Sequence, residues 1–121
     1  MKNNSGIYIH IPYCLSKCSY CDFVSFKIDD SFEEYICLLE QEICLWKDKK
    51  ASKTLVDSVF FGGGTPSLLS PIQLERILNK VCEIFRLTDD CEISIESNPD
   101  TLNVEKLKNY KKIGINRISI G

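Results

Sequence analysis

The sequence lacks the features that mark several common classes of protein. No apolar run approaches the roughly 20 residues that a membrane-spanning helix requires, and Met1–Gly6 is polar, unlike a secretory signal. The net charge of −2 provides no basic surface for nucleic acid or for an anionic membrane. Hydrophobic residues nevertheless make up 44% of the chain, which is typical of a globular domain. We therefore expect a cytoplasmic protein with one domain, no membrane span and no nucleic-acid partner.

Histidine and tryptophan occur once each, whereas cysteine occurs seven times. An odd number of cysteines in a chain without an export signal argues against a disulfide framework, and in a reducing compartment clustered cysteines more often bind metal. Three of them form a cluster, namely Cys14, Cys18 and Cys21. The other four have no metal-ligand spacing and are predicted to be free, small apolar residues: Cys37, Cys44, Cys82 and Cys91.

Strand-like and helix-like segments alternate along the chain, which predicts an α/β fold with a parallel sheet and right-handed crossovers. The predicted strands are Gly6–Ile11, Val56–Phe61, Glu92–Glu96 and Asn116–Ile120. The predicted helices run from Ser31 to about Lys49, from Pro71 to about Phe85 and from Val104 to Lys112. The lysines of the last helix are expected to be solvated: Lys106, Lys108, Lys111 and Lys112.

The fourth predicted strand ends next to Gly121 without a helix to cover it. A buried type of strand would then become an open sheet edge. We therefore expect residues 1–121 to be the front part of a larger, barrel-like domain.

Three unusual features each follow a predicted strand. The cysteine loop follows the first strand, Gly62–Gly64 follows the second, and Glu96 ends the third. The carboxyl ends of parallel strands share one edge of the sheet, and functional groups gather there. We therefore expect these three features to lie close together.

The spacing C-x3-C-x2-C lets three thiolates converge on one centre, as in iron–sulfur proteins. Three protein ligands would leave one iron of a four-iron cluster open to an outside ligand. The alternative is a zinc site, which needs a fourth donor, and His10 lies four residues before Cys14. Both kinds of site remain open on spacing alone.

The glycine run lacks the Gly-Lys-Ser/Thr of a phosphate loop and the spacing of a dinucleotide fingerprint. Its lack of side chains suits the close approach of a ligand, although a tight turn would also use it. A carboxylate at Glu96 on a covered strand needs a partner. That partner is either a ligand with ammonium or ribose hydroxyl groups, or an ion pair with Arg117 or a lysine.

Four motifs together resemble the radical SAM superfamily. They are Y-I-H-I-P-Y-C at 8–14 with Cys18 and Cys21, F-G-G-G-T-P-S at 61–67, I-E-S-N-P at 95–99 and G-I-N-R-I-S-I-G at 114–121. Their combination is similar to the branch that holds the oxygen-independent coproporphyrinogen III oxidases and the haem chaperone HemW. The resemblance implies the first four strands of a partial (β/α)6 barrel, and residues 1–121 as the N-terminal part of that core domain.

The resemblance also implies roles for individual residues. Cys14, Cys18 and Cys21 would ligate a [4Fe–4S] cluster whose fourth iron binds S-adenosyl-L-methionine. Further contacts with that cofactor are implied for Tyr8, Tyr20, Gly63, Gly64, Thr65 and Glu96. The cluster would receive electrons from a donor of the flavodoxin or ferredoxin type.

Phe23 separates two functions within this branch. The oxidases resemble C-x3-C-x2-C-x-C, and Phe23 stands where they have the last cysteine. The segment therefore resembles HemW, which binds haem and passes it to target proteins. Oxidative decarboxylation of a porphyrinogen is the alternative, and a small zinc-binding module is the third hypothesis.

Overall fold

The computed structural model describes residues 4–14, 26–27 and 31–121. Its strands are β1 (Ser5–Ile11), β2 (Tyr13–Cys14), β3 (Phe26–Lys27), β4 (Leu55–Gly63), β5 (Arg86–Ser97) and β6 (Arg117–Ile120). Its α-helices are α1 (Ser31–Cys44), α2 (Pro71–Ile84) and α3 (Val104–Ile113). Short 3-10 turns span Lys50–Lys53, Pro66–Leu68 and Pro99–Thr101. Across these described ranges, no helix has the length and apolar character that crossing a membrane requires.

The main sheet has four strands in the order β1-β4-β5-β6, and every neighbouring pair is parallel. Each successive strand is reached through one of the helices α1, α2 and α3. The predicted α/β fold with a parallel sheet is therefore confirmed. A separate two-stranded parallel ladder joins β2 to β3.

The two faces of the sheet differ in chemistry because strand side chains alternate in direction. One face carries Ile9, Ile11, Val59, Phe61 and Ile95, which are buried in one core with apolar side chains of all three helices. The opposite face carries Tyr8, His10 and Phe60 from β1 and β4, together with Glu96 from β5. The helix-covered face builds the core, and the other face is available for polar chemistry.

The ends of two helices follow signals in the sequence. Ser70 accepts a hydrogen bond from Gln73 N–H, and the Gln73 side chain accepts one from Ser70 N–H, which completes a capping box before Pro71. Gly114 closes α3 with φ +132°. The start of α2 is as predicted, and α3 ends one residue beyond its predicted end at Lys112.

Two elements differ most in length from their predictions. The first helix ends at Cys44, because the next residues form i→i+3 turns and Asp48 adopts a left-handed φ of 65°. Strand β5 begins at Arg86, six residues before the predicted start at Glu92. The sequence did not predict the start of β5 because Thr88–Asp90 is polar and aspartate is depleted in strands. The pairing with β4 shifts register there, passing from Val56↔Leu87 to Ser58↔Glu92.

The register between β5 and β6 is fixed by Asn116, which precedes β6. Its side-chain Oδ1 accepts from Ile93 N–H at 2.8 Å, and its Nδ2 donates to Cys91 O at 2.9 Å. Its own N–H donates to Ile93 O at 3.0 Å. Asn116 therefore extends the hydrogen bonding between β5 and β6 by one residue beyond the start of β6.

Replacing Asn116 by alanine should lower the free energy of unfolding by about 2 kcal/mol, because two hydrogen bonds to strand backbone are lost. Denaturant titration of the intact protein measures this change. Asn79→Ala on the exposed side of α2 is the matched control and should stay near the parent value. Equal stability of the two variants would contradict this role of Asn116.

Candidate functional site

The predicted site residues fall into two groups. Tyr8, Cys14, Glu96 and the segment 63–65 lie in the described part of the structure, whereas Cys18, Cys21 and Tyr20 lie outside the described residues. Within the described ranges, no three His, Cys, Asp or Glu side chains come together as metal ligands. The geometry of the predicted site can therefore be followed around Cys14.

The glycine run lies alongside the end of β1 and the start of the cysteine loop. His10 pairs with Gly62 and Ile11 with Gly63 in the parallel ladder. Beyond the ladder, Gly64 N–H donates to Ile11 O at 2.9 Å and Thr65 N–H donates to Tyr13 O at 2.7 Å. The two chain segments thus stay in contact up to Cys14.

Two of these glycines permit an approach that a side chain would prevent. A Cβ placed on Gly64 would lie 2.6 Å from Tyr13 O and 3.0 Å from Cys14 Sγ. A Cβ placed on Gly63 would lie 2.8 Å from Ile11 O and 2.9 Å from the His10 ring, and Gly63 has φ +121°. The sulfur of Cys14 therefore lies directly beside a backbone without side chains.

Glu96 reaches the same glycine run from β5. A Cβ placed on Gly62 would lie 2.6 Å from Glu96 Oε1 and 2.8 Å from Tyr8 Cε1. The ion pair of Glu96 with Arg117, one of the two alternatives drawn from the sequence, does not form. Arg117 instead pairs with Glu92 at 3.2 Å, and among the ion pairs of the described residues none includes Glu96.

Tyr8 and His10 complete this edge on β1. The Tyr8 hydroxyl and His10 Nδ1 lie 3.0 Å apart, and the hydroxyl of Tyr35 on α1 donates to His10 O at 2.5 Å. Tyr8 also stacks on Phe60, with ring centroids 5.9 Å apart. Partial burial and the negative charge of Glu96 hold the pKa of Tyr8 above its ordinary value.

A polar cluster beside the site was missed by the sequence reasoning. It links Ser67, Thr101, Lys106 and Tyr110. Lys106 was expected to be solvated, and that prediction is wrong because its ammonium group is partly buried against backbone carbonyls. The spacing of four between Lys106 and Tyr110, which places both on one helix face, is the signal that could have revealed the pair.

The cysteines outside the loop are free, as predicted. Cys91 is buried in the apolar core, Cys44 is half-buried, and Cys37 and Cys82 are exposed.

The arrangement is a backbone cradle at Gly62–Gly64 that is bordered by the thiol of Cys14, the carboxylate of Glu96 and the aromatic ring of Tyr8. Such a cradle suits an organic ligand whose polar groups approach the main chain closely. Its place at the carboxyl ends of parallel strands is where α/β domains bind cofactors. Fold and site together are typical of α/β proteins that bind an organic cofactor.

Comparison with known proteins identifies the family. The sequence profile of the radical SAM superfamily matches residues 8–121, and the chain belongs to that superfamily. It is 42% identical to the haem chaperone HemW of Buchnera aphidicola subsp. Schizaphis graminum and 37% identical to HemW of Escherichia coli. Each match covers 96% of this chain and 31% of the relative, so the chain spans under a third of either relative.

A solved structure agrees with the fold. Coproporphyrinogen III oxidase (HemN) from Escherichia coli, a radical SAM enzyme, superimposes with a TM-score of 0.89 at 30% identity. The match covers 99% of this chain and 28% of that enzyme. The parallel sheet described above is therefore the radical SAM fold.

A comparison of Gly63 with Gly114 separates the energetic cost of backbone strain from the cost of a side chain that meets a neighbouring backbone atom. Both have positive φ, but a Cβ on Gly114 would meet nothing nearer than Ile93 Cδ1 at 3.7 Å. Gly114→Ala should therefore cost about 1–2 kcal/mol of unfolding free energy from strain alone. Gly63→Ala should cost about 1–3 kcal/mol more, since Ile11 O belongs to the backbone and resists displacement. Denaturant titration measures both, and equal losses would show that the close approach is unimportant.

Proposed function

We propose that this chain is the radical SAM core of a haem chaperone of the HemW type, which binds haem and delivers it to target proteins. The observation that carries the proposal is the convergence of Cys14 and Glu96 on the glycine run. Similarity to HemW from two organisms supports the chaperone assignment within the superfamily.

The residues present fit an iron–sulfur cluster with S-adenosyl-L-methionine. Cys14, Cys18 and Cys21 would hold three irons and leave the fourth for the amino and carboxylate groups of the cofactor. The Cβ-free surface at Gly64 lies next to Cys14 Sγ, where that cofactor would meet the cluster. A cluster bound there would have a low reduction potential and would supply the electron that reduces the cofactor.

The resemblance to the radical SAM superfamily implies the other contacts. Gly63, Gly64 and Thr65 would lie along the methionyl part of the cofactor. Glu96 would accept hydrogen bonds from its polar groups, and Tyr8 would border it on the side of β1. Tyr20, between two of the cysteines in sequence, would lie near the adenine.

Phe23 favours haem handling over porphyrinogen oxidation, because the oxidases resemble a sequence with a further cysteine at that position. The second candidate function is oxidative decarboxylation of coproporphyrinogen III, and the structural likeness to an oxidase favours it. The haem-receiving protein, an electron donor of the flavodoxin or ferredoxin type and a cytoplasmic location belong to the proposal.

Anaerobic reconstitution with iron and sulfide tests the cluster. The intact protein should gain broad visible absorption and, when reduced, an EPR signal that changes on addition of S-adenosyl-L-methionine. Cys14→Ala should abolish both, whereas Cys82→Ala, at an exposed free cysteine, should leave them unchanged. A colourless protein with one tightly bound zinc ion would overturn the proposal in favour of a zinc module.

Haem titration of the intact protein, followed by absorbance, separates the chaperone from the oxidase. We expect saturable haem binding and no conversion of coproporphyrinogen III in an anaerobic assay with reductant and S-adenosyl-L-methionine. Transfer of the bound haem to an apo-haemoprotein is the matching functional readout. Turnover to protoporphyrinogen without haem binding would instead establish the oxidase.

A further inference from the structure

A polar cluster fastens the segment after the glycine run to the segment after β5. Ser67, which is fully buried, places its Oγ within hydrogen-bond distance of Thr101 Oγ1 and accepts from Asn98 N–H at 3.1 Å. Ser67 lies two residues after Thr65, and Asn98 lies two residues after Glu96. We call the glycine run and the end of β5 at Glu96 the two walls of the proposed cofactor site. The polar cluster of Ser67, Thr101 and Asn98 joins these walls just outside the site.

Lys106 on α3 reaches this junction with its charged end. Its Nζ donates to Ser67 O and, at 3.1 Å, to Thr101 O. It also lies 5.8 Å from the centre of the Tyr110 ring. The Lys106 ammonium group thus bridges one carbonyl from each of the two segments.

Tyr110 supports the same junction from within the core. Its hydroxyl donates to Leu69 O at 2.5 Å and lies 3.3 Å from Ser67 O. Its side chain is fully buried, and that burial raises the pKa of the phenol. Two side chains one helical turn apart on α3 therefore lie at Ser67 O, which accepts from Lys106 Nζ and is close to the Tyr110 hydroxyl.

The setting of Lys106 is unusual for a lysine. Its partial burial lowers the pKa of the ammonium group. Among the described residues its polar partners are backbone carbonyls, and no carboxylate forms an ion pair with it. Burying a charge without a counter-charge is unfavourable unless hydrogen bonds compensate. A lysine whose only task was solubility would extend into water, as its exposed neighbour Lys108 does.

We propose that Lys106 is a positioning residue that sets the separation between the glycine run and Glu96. Its hydrogen bonds within the described residues go to Ser67 O and Thr101 O and to neither Cys14 nor Glu96, so it acts through those two carbonyls. This inference rests on the proposed function, because the separation matters only where one ligand contacts both walls. Misplacing one wall by a fraction of an ångström weakens such contacts.

The test compares Lys106→Met, Lys106→Arg and the matched control Lys108→Met in the intact, reconstituted protein. Lys106→Met keeps the aliphatic stem and removes the donors, whereas Lys106→Arg keeps a charged donor. Isothermal titration with S-adenosyl-L-methionine gives the dissociation constant at a temperature where circular dichroism shows all variants folded. Hydrogen exchange of 64–69 and 98–101 reports the junction without any ligand.

We expect Lys106→Met to weaken cofactor binding about tenfold with unchanged cluster content. We also expect faster exchange in both segments, restoration of most of the affinity by Lys106→Arg and no effect of Lys108→Met. Lys106→Gln replaces the methionine variant if that variant does not fold.

A lower melting temperature with parental affinity would overturn the proposal, since a merely structural role predicts that result. Equal weakening by methionine and arginine would overturn it too, because donors would not matter. Failure of the parent protein to bind S-adenosyl-L-methionine would refute the proposed function. In that case the hydrogen exchange would still show whether Lys106 holds the two segments together.

Discussion

Two hydrogen bonds beyond the end of β1 hold the glycine run against the start of the cysteine loop, and the rest of the site depends on them. Gly64 donates to Ile11 O and Thr65 donates to Tyr13 O. A side chain at Gly64 would force this arrangement to shift, since its Cβ would lie 2.6 Å from Tyr13 O. The requirement for glycine is therefore steric, and it explains why a backbone surface, rather than side chains, faces Cys14.

The sheet separates the tasks of stability and chemistry between its two faces. Burial of the isoleucines and Phe61 beneath the helices supplies the hydrophobic free energy that holds the strands in register. That register brings Tyr8, Gly62 and Glu96 together on the other face, although these residues come from three strands distant in sequence. Polar groups on the second face are tolerated because the first face already provides a core.

The sequence predicted those parts of the molecule that depend on local or periodic signals. The alternation of strands and helices and the start of α2 at Pro71 were predicted, and the cap at Ser70 and the closing glycine of α3 show that such boundaries depend on nearby residues. The parallel arrangement then implied that Cys14, the glycine run and Glu96 share an edge. The early start of β5 depends on pairing with β4, which its polar residues do not reveal. The spacing of Lys106 and Tyr110 indicates a shared helix face, but the acceptor Ser67 O lies 39 residues earlier in the chain, and no local pattern reveals that contact.

The two glutamates on one face of β5 show why Glu96 suits a ligand. Glu92 and Glu96 are four residues apart, and Glu92 is neutralised by Arg117. Glu96 has no such partner among the described residues, and its carboxylate points at Gly62. Burial and the charge of Glu96 together raise the pKa of Tyr8. A carboxylate left without a counter-ion at a partly covered edge favours a cationic ligand. The proposed cofactor carries a sulfonium and an ammonium group, and these positive charges would neutralise the carboxylate of Glu96.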